Sequence, residues 1–196
     1  MIDTVVFDLG GVLIEWDPRH LYRDLFGDEA EMERFLAEVC TWEWHHRHDA
    51  GVLFEESIPA LSELFPEQSA NIALWESRYM DMIPGEVPGA VDVLREVHDA
   101  GTRVVALTNM PVEIEPQLRE RFEWFDLFDG VIVSGVEQLV KPDPAIYRIL
   151  VDRFGLDPAT TAFVDDRPEN VAAAITLGFI GIQFTDAVSL RRDLGI

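Results

Sequence analysis

Six side chains able to do chemistry stand at the ends of short apolar runs. Asp8 closes Thr4-Val5-Val6-Phe7 and leads into Gly10-Gly11, and Thr108-Asn109 follow Arg103–Leu107. Asp165-Asp166 follow Thr161–Val164, and Lys141 comes after the run at 130–133, inside the stiff segment Val140-Lys141-Pro142-Asp143-Pro144. Lys141 is the one lysine among fifteen basic residues. In a chain that otherwise writes arginine, it is either a leftover surface charge or a position needing a compact ammonium rather than a planar fork. Carboxylates gathered from Asp8, Asp165 and Asp166 would repel one another and raise each other's pKa. A hard divalent cation with oxygen ligands relieves that, and Mg²⁺ suits sites that also hold phosphate. Lys141 would add a second positive charge, and Thr108 and Asn109 can donate hydrogen bonds to phosphoryl oxygens. Asp8 is then placed to act as a carboxylate nucleophile through an aspartyl-phosphate. Positioning and charge neutralisation supply most of the catalysis in such transfers.

These residues need a frame that brings strand ends together. Residues 4–9 read as a buried strand stopped by Gly10-Gly11. Helical periodicity recurs around 18–26, 29–40, 53–65 and 68–82, with no strand between, and Pro84-Gly85-Glu86-Val87-Pro88-Gly89 is a breaker cluster that returns the chain. Strand and helix then alternate: helix 89–100, strand 103–107, helix 112–122, strand 130–133, helix 143–154, strand 161–164, helix 168–177, strand 180–184. Alternation predicts an α/β fold, a Rossmann-like parallel sheet core with helices on both faces and a small inserted α-helical cap. Ligands of such sheets bind outside the carboxyl ends of the strands. The expected division is a catalytic core at 1–15 and 85–196 with a helical cap at 16–84.

Composition narrows the partners. The formal charge is −22, which argues against nucleic acid and anionic membrane surfaces and demands local positive charge if the substrate is an anion. No apolar run reaches membrane-spanning length, and the first residues lack the basic start of a signal peptide. Cys40 is the single cysteine, so no internal disulfide forms, and a buried structural thiol is expected. A cytoplasmic protein is expected, acting on a small molecule, as a monomer or a homodimer.

Taken in order, the motifs resemble those of the haloacid dehalogenase-like (HAD) hydrolase superfamily. Val5-Val6-Phe7-Asp8-Leu9-Gly10-Gly11-Val12 corresponds to motif I, Ala106-Leu107-Thr108-Asn109 to motif II, Lys141-Pro142 to motif III and Phe163-Val164-Asp165-Asp166 to motif IV. Asn170 lies on the helix that follows. The chain looks most like the phosphatase branch with a helical cap after motif I, similar to sugar-1-phosphate phosphatases and to the N-terminal phosphatase domain of epoxide hydrolases. The resemblance implies Asp8 as nucleophile, with Thr108, Asn109 and Lys141 binding phosphate. It also implies Mg²⁺ held by Asp8, the carbonyl of Gly10 and Asp166, with Asp165 bound directly or through water. The expected activity is Mg²⁺-dependent hydrolysis of a small phosphorylated metabolite such as a sugar phosphate.

One position departs from the family. Most of its phosphatases carry a second Asp two residues after the nucleophile, which protonates the leaving group and then activates water. Gly10 stands there instead. Three explanations follow: a phosphate-binding protein with little turnover, a substrate whose leaving group needs no acid, or a cap residue that takes over. Dehalogenases also lack this Asp and are the rival enzyme class. The Asp165-Asp166 pair argues against them, since extra carboxylates without a metal disfavour a carboxylate substrate.

Within the cap, Thr41–Gly51 holds three of the five histidines and two of the five tryptophans. His45, His46 and His48 lack the spacing for zinc on one helix face. A substrate-facing segment is expected instead, with Trp42 or Trp44 stacking on a sugar and His45 or Arg47 binding its hydroxyls; amphipathic packing is the alternative. Trp16, Arg19 and His20 are expected to line the cleft between cap and core. Trp75, Arg78 and Tyr79 read as core and surface of a long helix.

Overall fold

A computed structural model describes residues 2–196. Strand β1 (Thr4–Phe7) is wholly buried and is followed by five helices: α1 (Arg19–Tyr22), α2 (Glu29–Glu38), α3 (Trp42–Asp49), α4 (Phe54–Leu64) and α5 (Ser69–Ser77). Alternation then begins with α6 (Ala90–Asp99), β2 (Arg103–Thr108), α7 (Glu115–Arg121), β3 (Val131–Val133), α8 (Ser134–Glu137) and α9 (Pro144–Phe154). It closes with β4 (Thr161–Asp165), α10 (Pro168–Thr176), β5 (Ile180–Gln183) and α11 (Ala187–Leu194). All five strands are parallel, in the order β3-β2-β1-β4-β5. The fold is therefore the expected Rossmann-like α/β sheet, and its buried central strands are the near-continuous apolar runs such sheets require.

The strand order reverses beside β1. From there the chain moves outward through β2 and β3, then returns to the other side as β4 and β5. The crevice at such a switch point is where doubly wound sheets bind ligands. Register aligns its rim: Phe7 pairs with Val164, and Asp8 N–H donates to the Val164 carbonyl at 2.9 Å, so Asp8 and Asp165 leave the sheet side by side.

The helical segment joins the sheet through two antiparallel chain passages. Ile14 bridges Glu86, Glu15 N–H donates to Gly85 at 3.0 Å, and Val87 N–H to Leu13 at 2.9 Å. This neck is made by residues 13–15 on the outgoing passage and 85–87 on the returning one. The segment has no core of its own. One continuous apolar cluster runs from Phe7, Val104 and Val164 on one sheet face through Leu13 and Ile14 to Tyr22, Phe54 and Trp75. A second cluster, with Val6, Leu107, Tyr147 and Phe163, fills the opposite face beneath α9 and α10.

Local chemistry explains where the structure differs from expectation. β1 ends at Phe7 rather than at residue 9, because the Leu9 carbonyl turns to accept from Leu13 and Ile14. α3 takes up the stretch for which amphipathic packing is the alternative reading; Thr41 starts it by accepting from Trp44 N–H at 3.1 Å, an N-cap in extended conformation. The helix expected over 68–82 breaks at Arg78 into a 3₁₀ turn at Tyr79–Met82. α8 and α11 were not anticipated either; α11 is capped by the Asp186 carboxylate, which accepts from Ser189 N–H.

Candidate active site

The strand ends converge as a tightly bonded floor. Lys141 is buried, and its three ammonium donors meet three acceptors: Asp8 Oδ2 at 2.8 Å, Asp165 Oδ2 at 2.7 Å and the Leu107 carbonyl at 3.0 Å. An ammonium in that position carries a full set of partners, which is what a buried charge needs. Burial alone would lower its pKa, but Asp8 and Asp165 outweigh that and hold it above the ordinary lysine value. Asp8 Oδ1 accepts from the backbone N–H of Leu9 at 2.7 Å. Burial, opposed by Lys141 and reinforced by Asp165 and Asp166, pushes Asp8 up to about 7.

Asn109 sits under the lysine. Its Oδ1 accepts from Lys141 N–H at 2.8 Å and its Nδ2 donates to the Lys141 carbonyl at 3.1 Å, so the amide clamps the lysine backbone. Its side chain thus holds the neighbouring segment rather than standing free in the cavity. Thr108, at the end of β2, is buried and lines the cavity; its hydroxyl has no protein partner among the described residues. Asp165 is fully engaged: Oδ1 accepts from Arg167 N–H and Asn170 Nδ2, each at 2.9 Å, while Oδ2 takes Lys141 and Asn170.

Asp166 is the contrast. Its carboxylate has no side-chain partner among the described residues. Burial and Asp165 raise its pKa, with Lys141 opposing. It rests on Gly11, where a Cβ would lie 2.7 Å from Oδ2 and where φ is +75°. Glycine is required there on both counts. Gly10 differs: a Cβ built on it meets nothing within 4 Å. Ligand oxygens of Asp8, Asp165 and Asp166 lie within 4.8 Å of one another. An all-oxygen donor set with one free carboxylate fits a hard divalent cation such as Mg²⁺.

Helix α3 roofs a cavity of about 660 Å³ above this floor. Trp42, His45, His46 and Asp49 all line it, at i, i+3, i+4 and i+7, a single stripe of the helix. Trp42 lies over the Arg167 guanidinium, 5.6 Å from its ring centroid, and His45 stacks on Trp16 with centroids 4.6 Å apart. Asp49 is buried, with His46 Nδ1 at 3.5 Å from Oδ2 and His45 Nε2 at 3.8 Å from Oδ1. Asp49 raises the His46 pKa against opposing burial, while burial lowers that of His45. The end of α3 is stitched to the floor. Ser134 Oγ donates to the Asp49 carbonyl at 2.6 Å and accepts from Met110 N–H at 2.9 Å, directly after Asn109.

Of the residues expected in the cap cleft, Trp16 and His45 line the cavity, and Arg19, His20, Trp44 and Arg47 do not. Arg19 forks onto Glu33 at 2.6 and 2.8 Å and reaches Asp17, so its charge is already matched within the cap. His20 is exposed on α1. Trp44 points inward from α3 against Trp75 and His48, because the 3.6-residue repeat turns positions 44 and 47 off the lining stripe. Asp49, Tyr79 and Arg167 line the cavity without having been anticipated. His48 faces away, bonded to Ser57 and the His45 carbonyl, and among the described residues no zinc-like histidine cluster forms.

The family model of haloacid dehalogenase-like hydrolases matches residues 2–178. The chain belongs to that family. It is a hydrolase, and phosphatases stand among its relatives. It is 28% identical over 192 residues to a sesquiterpene phosphatase of Aspergillus oryzae, a match covering 97% of this chain and 94% of that protein. It is 46% identical over 106 residues to the chloroplast flavin mononucleotide hydrolase 1 of Arabidopsis thaliana, covering 54% of this chain and 43% of that protein. A HAD family enzyme of Bacteroides thetaiotaomicron, crystallised with magnesium and inorganic phosphate, shares the fold with a TM-score of 0.72 and 20% identity over 95% of this chain and 96% of that one.

Proposed function

We propose that this HAD hydrolase is a Mg²⁺-dependent phosphatase that works through an aspartyl-phosphate on Asp8. The observation that carries this reading is the asymmetry of the floor: Asp8 is anchored by Lys141 while Asp166 beside it is left unpaired. Asp8, the Gly10 carbonyl and Asp166 would hold the cation, with Asp165 behind a water because both of its oxygens are already bonded. When bound, Mg²⁺ supplies charge neutralisation for the phosphoryl oxygens. Lys141 holds Asp8 as the carboxylate and aims it, and Thr108 offers its free hydroxyl to a phosphoryl oxygen. Asp8 bonds to phosphorus as the ester oxygen departs, and water then returns Asp8 to the carboxylate.

The cavity walls favour a substrate body richer in carbon than a sugar. Leu9, Ile14, Ile83, Ile114 and Leu118 line it beside Trp16 and Trp42, with His45, His46, Asp49, Tyr79 and Arg167 as the polar groups above the floor. The names of the sesquiterpene phosphatase and the flavin mononucleotide hydrolase support the same class, a phosphate on an apolar or aromatic body. On this reading 16–84 is the cap that sets selectivity, and Trp16, Trp42 and His45 are its substrate-facing residues.

The test is hydrolysis of 4-nitrophenyl phosphate with and without Mg²⁺, with Asp8→Asn as control. Activity should need Mg²⁺ and fall by at least about 10⁴-fold in the variant, as when a nucleophile is removed. Turnover that survives Asp8→Asn sinks the nucleophile assignment. The rival dehalogenase reading rests on Gly10; metal-independent release of halide from a 2-haloacid would favour it. A panel pairing isoprenoid and arylalkyl phosphates with sugar 1-phosphates then ranks substrates by kcat/KM.

A further inference from the structure

We propose that Asp49, His45 and His46 of α3 form a proton relay that does the work of the side chain absent at Gly10, with His46 exchanging the proton with substrate. The proposal rests on the phosphatase reading above.

Four observations converge on it. The first is that Gly10 is not imposed by the fold. Its Cβ position is open, and its φ lies outside the left-handed region, so a side chain would be accommodated there. A reaction that needs a proton donor must find it elsewhere around the cavity. The second is that α3 brings the only buried carboxylate of the roof, Asp49, onto its cavity-lining stripe. Among the described residues Asp49 Oδ1 and His45 Nδ1 are buried without a hydrogen-bond partner. Orphaned polar atoms are costly in a folded interior and call for a functional explanation. The third is orientation. His46 turns Nδ1 toward Asp49, at 3.5 Å, which leaves Nε2 as its outward nitrogen; its side chain is 43% exposed and lines the cavity. A carboxylate holding one ring nitrogen while the other serves the reaction is how imidazoles are set for proton transfer. The fourth is placement: Ser134 ties the Asp49 carbonyl to Met110 N–H, so the relay is indexed to the Thr108-Asn109 segment of the floor. The 3.5 and 3.8 Å separations are longer than hydrogen bonds, as proton-transfer pairs often are before substrate tightens them.

In the first half-reaction Asp8 forms a bond to phosphorus as the bond from phosphorus to the ester oxygen breaks. The departing oxygen keeps the electron pair and takes a proton from His46 Nε2. In the second, a water oxygen bonds to phosphorus and gives its proton to the now neutral His46. The bond from phosphorus to Asp8 breaks, its electron pair returning to the carboxylate. The relay ends as it began. Asp49 and His45 are positioning residues, since they act through His46.

The experiment compares 4-nitrophenyl phosphate, whose leaving group departs as a stable anion, with 2-phenylethyl phosphate, whose alkoxide needs a proton. His46→Gln in the full chain with Mg²⁺ should lower kcat on the alkyl ester by about 10²- to 10⁴-fold, the usual worth of acid–base catalysis. On the aryl ester it should leave a burst of nitrophenolate stoichiometric with enzyme, followed by slow turnover, because the second half-reaction still lacks its base. Asp49→Asn should show the same discrimination more weakly. Adding Gly10→Asp to His46→Gln should restore alkyl turnover, since the open position then carries the acid. His46 is half-exposed, so its variant should fold, and the alkyl-to-aryl ratio of first-turnover cleavage rates decides the question even if Asp49→Asn does not fold. Equal loss of the first-turnover cleavage rate on both esters, or no loss, overturns the relay, and so does a double variant no better than His46→Gln. A wild-type chain with no Mg²⁺-dependent hydrolysis of either ester overturns the phosphatase reading instead.

Discussion

At the strand ends Lys141, Asp8, Asp165, Asn109 and Asn170 bond one another in a closed network. Across the cavity the roof is built otherwise. Six buried side-chain polar atoms among the described residues lack a partner, on Trp16, Trp44, His45, Asp49, Trp75 and Glu113. Five of these residues belong to the helical segment or its neck. The sixth, Glu113, reaches up from the loop before α7 to accept from Phe54 N–H at the start of α4. None of these six lies on the floor. The floor's two open groups, the Thr108 hydroxyl and the Asp166 carboxylate, face the cavity, and the network beneath them holds one geometry, whereas an incompletely bonded region can reorganise around a ligand. On the proposed reading the floor fixes the chemistry, and the roof is free to vary with the substrate.

That contrast can be broken most severely at Lys141. Lys141→Met leaves two buried carboxylates facing each other without their cation and should cost about 3–5 kcal/mol of stability, read from the denaturant midpoint. Lys141→Arg keeps the charge but forces a planar fork into a space shaped for a point charge. It should cost about 1–3 kcal/mol from overpacking alone and lower kcat by more than Lys-to-Arg exchange does at exposed sites. An arginine variant with unaltered kcat would show the floor to be as tolerant as the roof.

A smaller effect is expected above. Trp42 is 52% exposed, so Trp42→Ala should leave Tm nearly unchanged. It should lower kcat/KM about tenfold for an arylalkyl phosphate and little for a compact one, the scale of losing one apolar pocket wall. A uniform loss across both would assign Trp42 to holding Arg167 rather than to substrate.

A further effect, confined to acid pH, concerns stability alone. Burial holds His48 at about 4, below its ordinary value near 6.5, with His45 adding to the shift. The charged form is disfavoured on folding, so this contribution is intact above pH 6.5 and is lost as pH falls toward 4. The loss should be on the order of 2 kcal/mol once partial solvent screening is allowed for. His48→Gln should flatten the Tm profile between those limits; an unchanged acid slope would place the titrating group elsewhere.

The difference between floor and roof also governs what the sequence reveals. Asp8, Thr108, Lys141 and the Asp165-Asp166 pair follow apolar runs that alternate with helices, so strand-end position and motif order are readable from the chain. Parallel topology then does the gathering. The roof depends on helical phase. His45, His46 and His48 compared with one another miss the pattern, whereas Trp42, His45, His46 and Asp49 fall at i, i+3, i+4 and i+7. Reading Thr41 as an N-cap would have set that phase. Arg19 was not legible, because its partner Glu33 lies on the next helix and only tertiary structure pairs them. Tyr79 was hidden by the break at Arg78, where a continuous periodic pattern conceals a change of helix type.

The neck carries a mechanical consequence. Ile14 is bridged on one side to Glu86, on the returning passage, and on the other to Gly10, two residues from Asp8. Any swing of the helical segment about this junction is therefore geared to the backbone that presents Asp8. Movement of the segment and displacement of the Asp8 carboxylate would share one lever, so that loosening the neck and misaiming Asp8 are the same event.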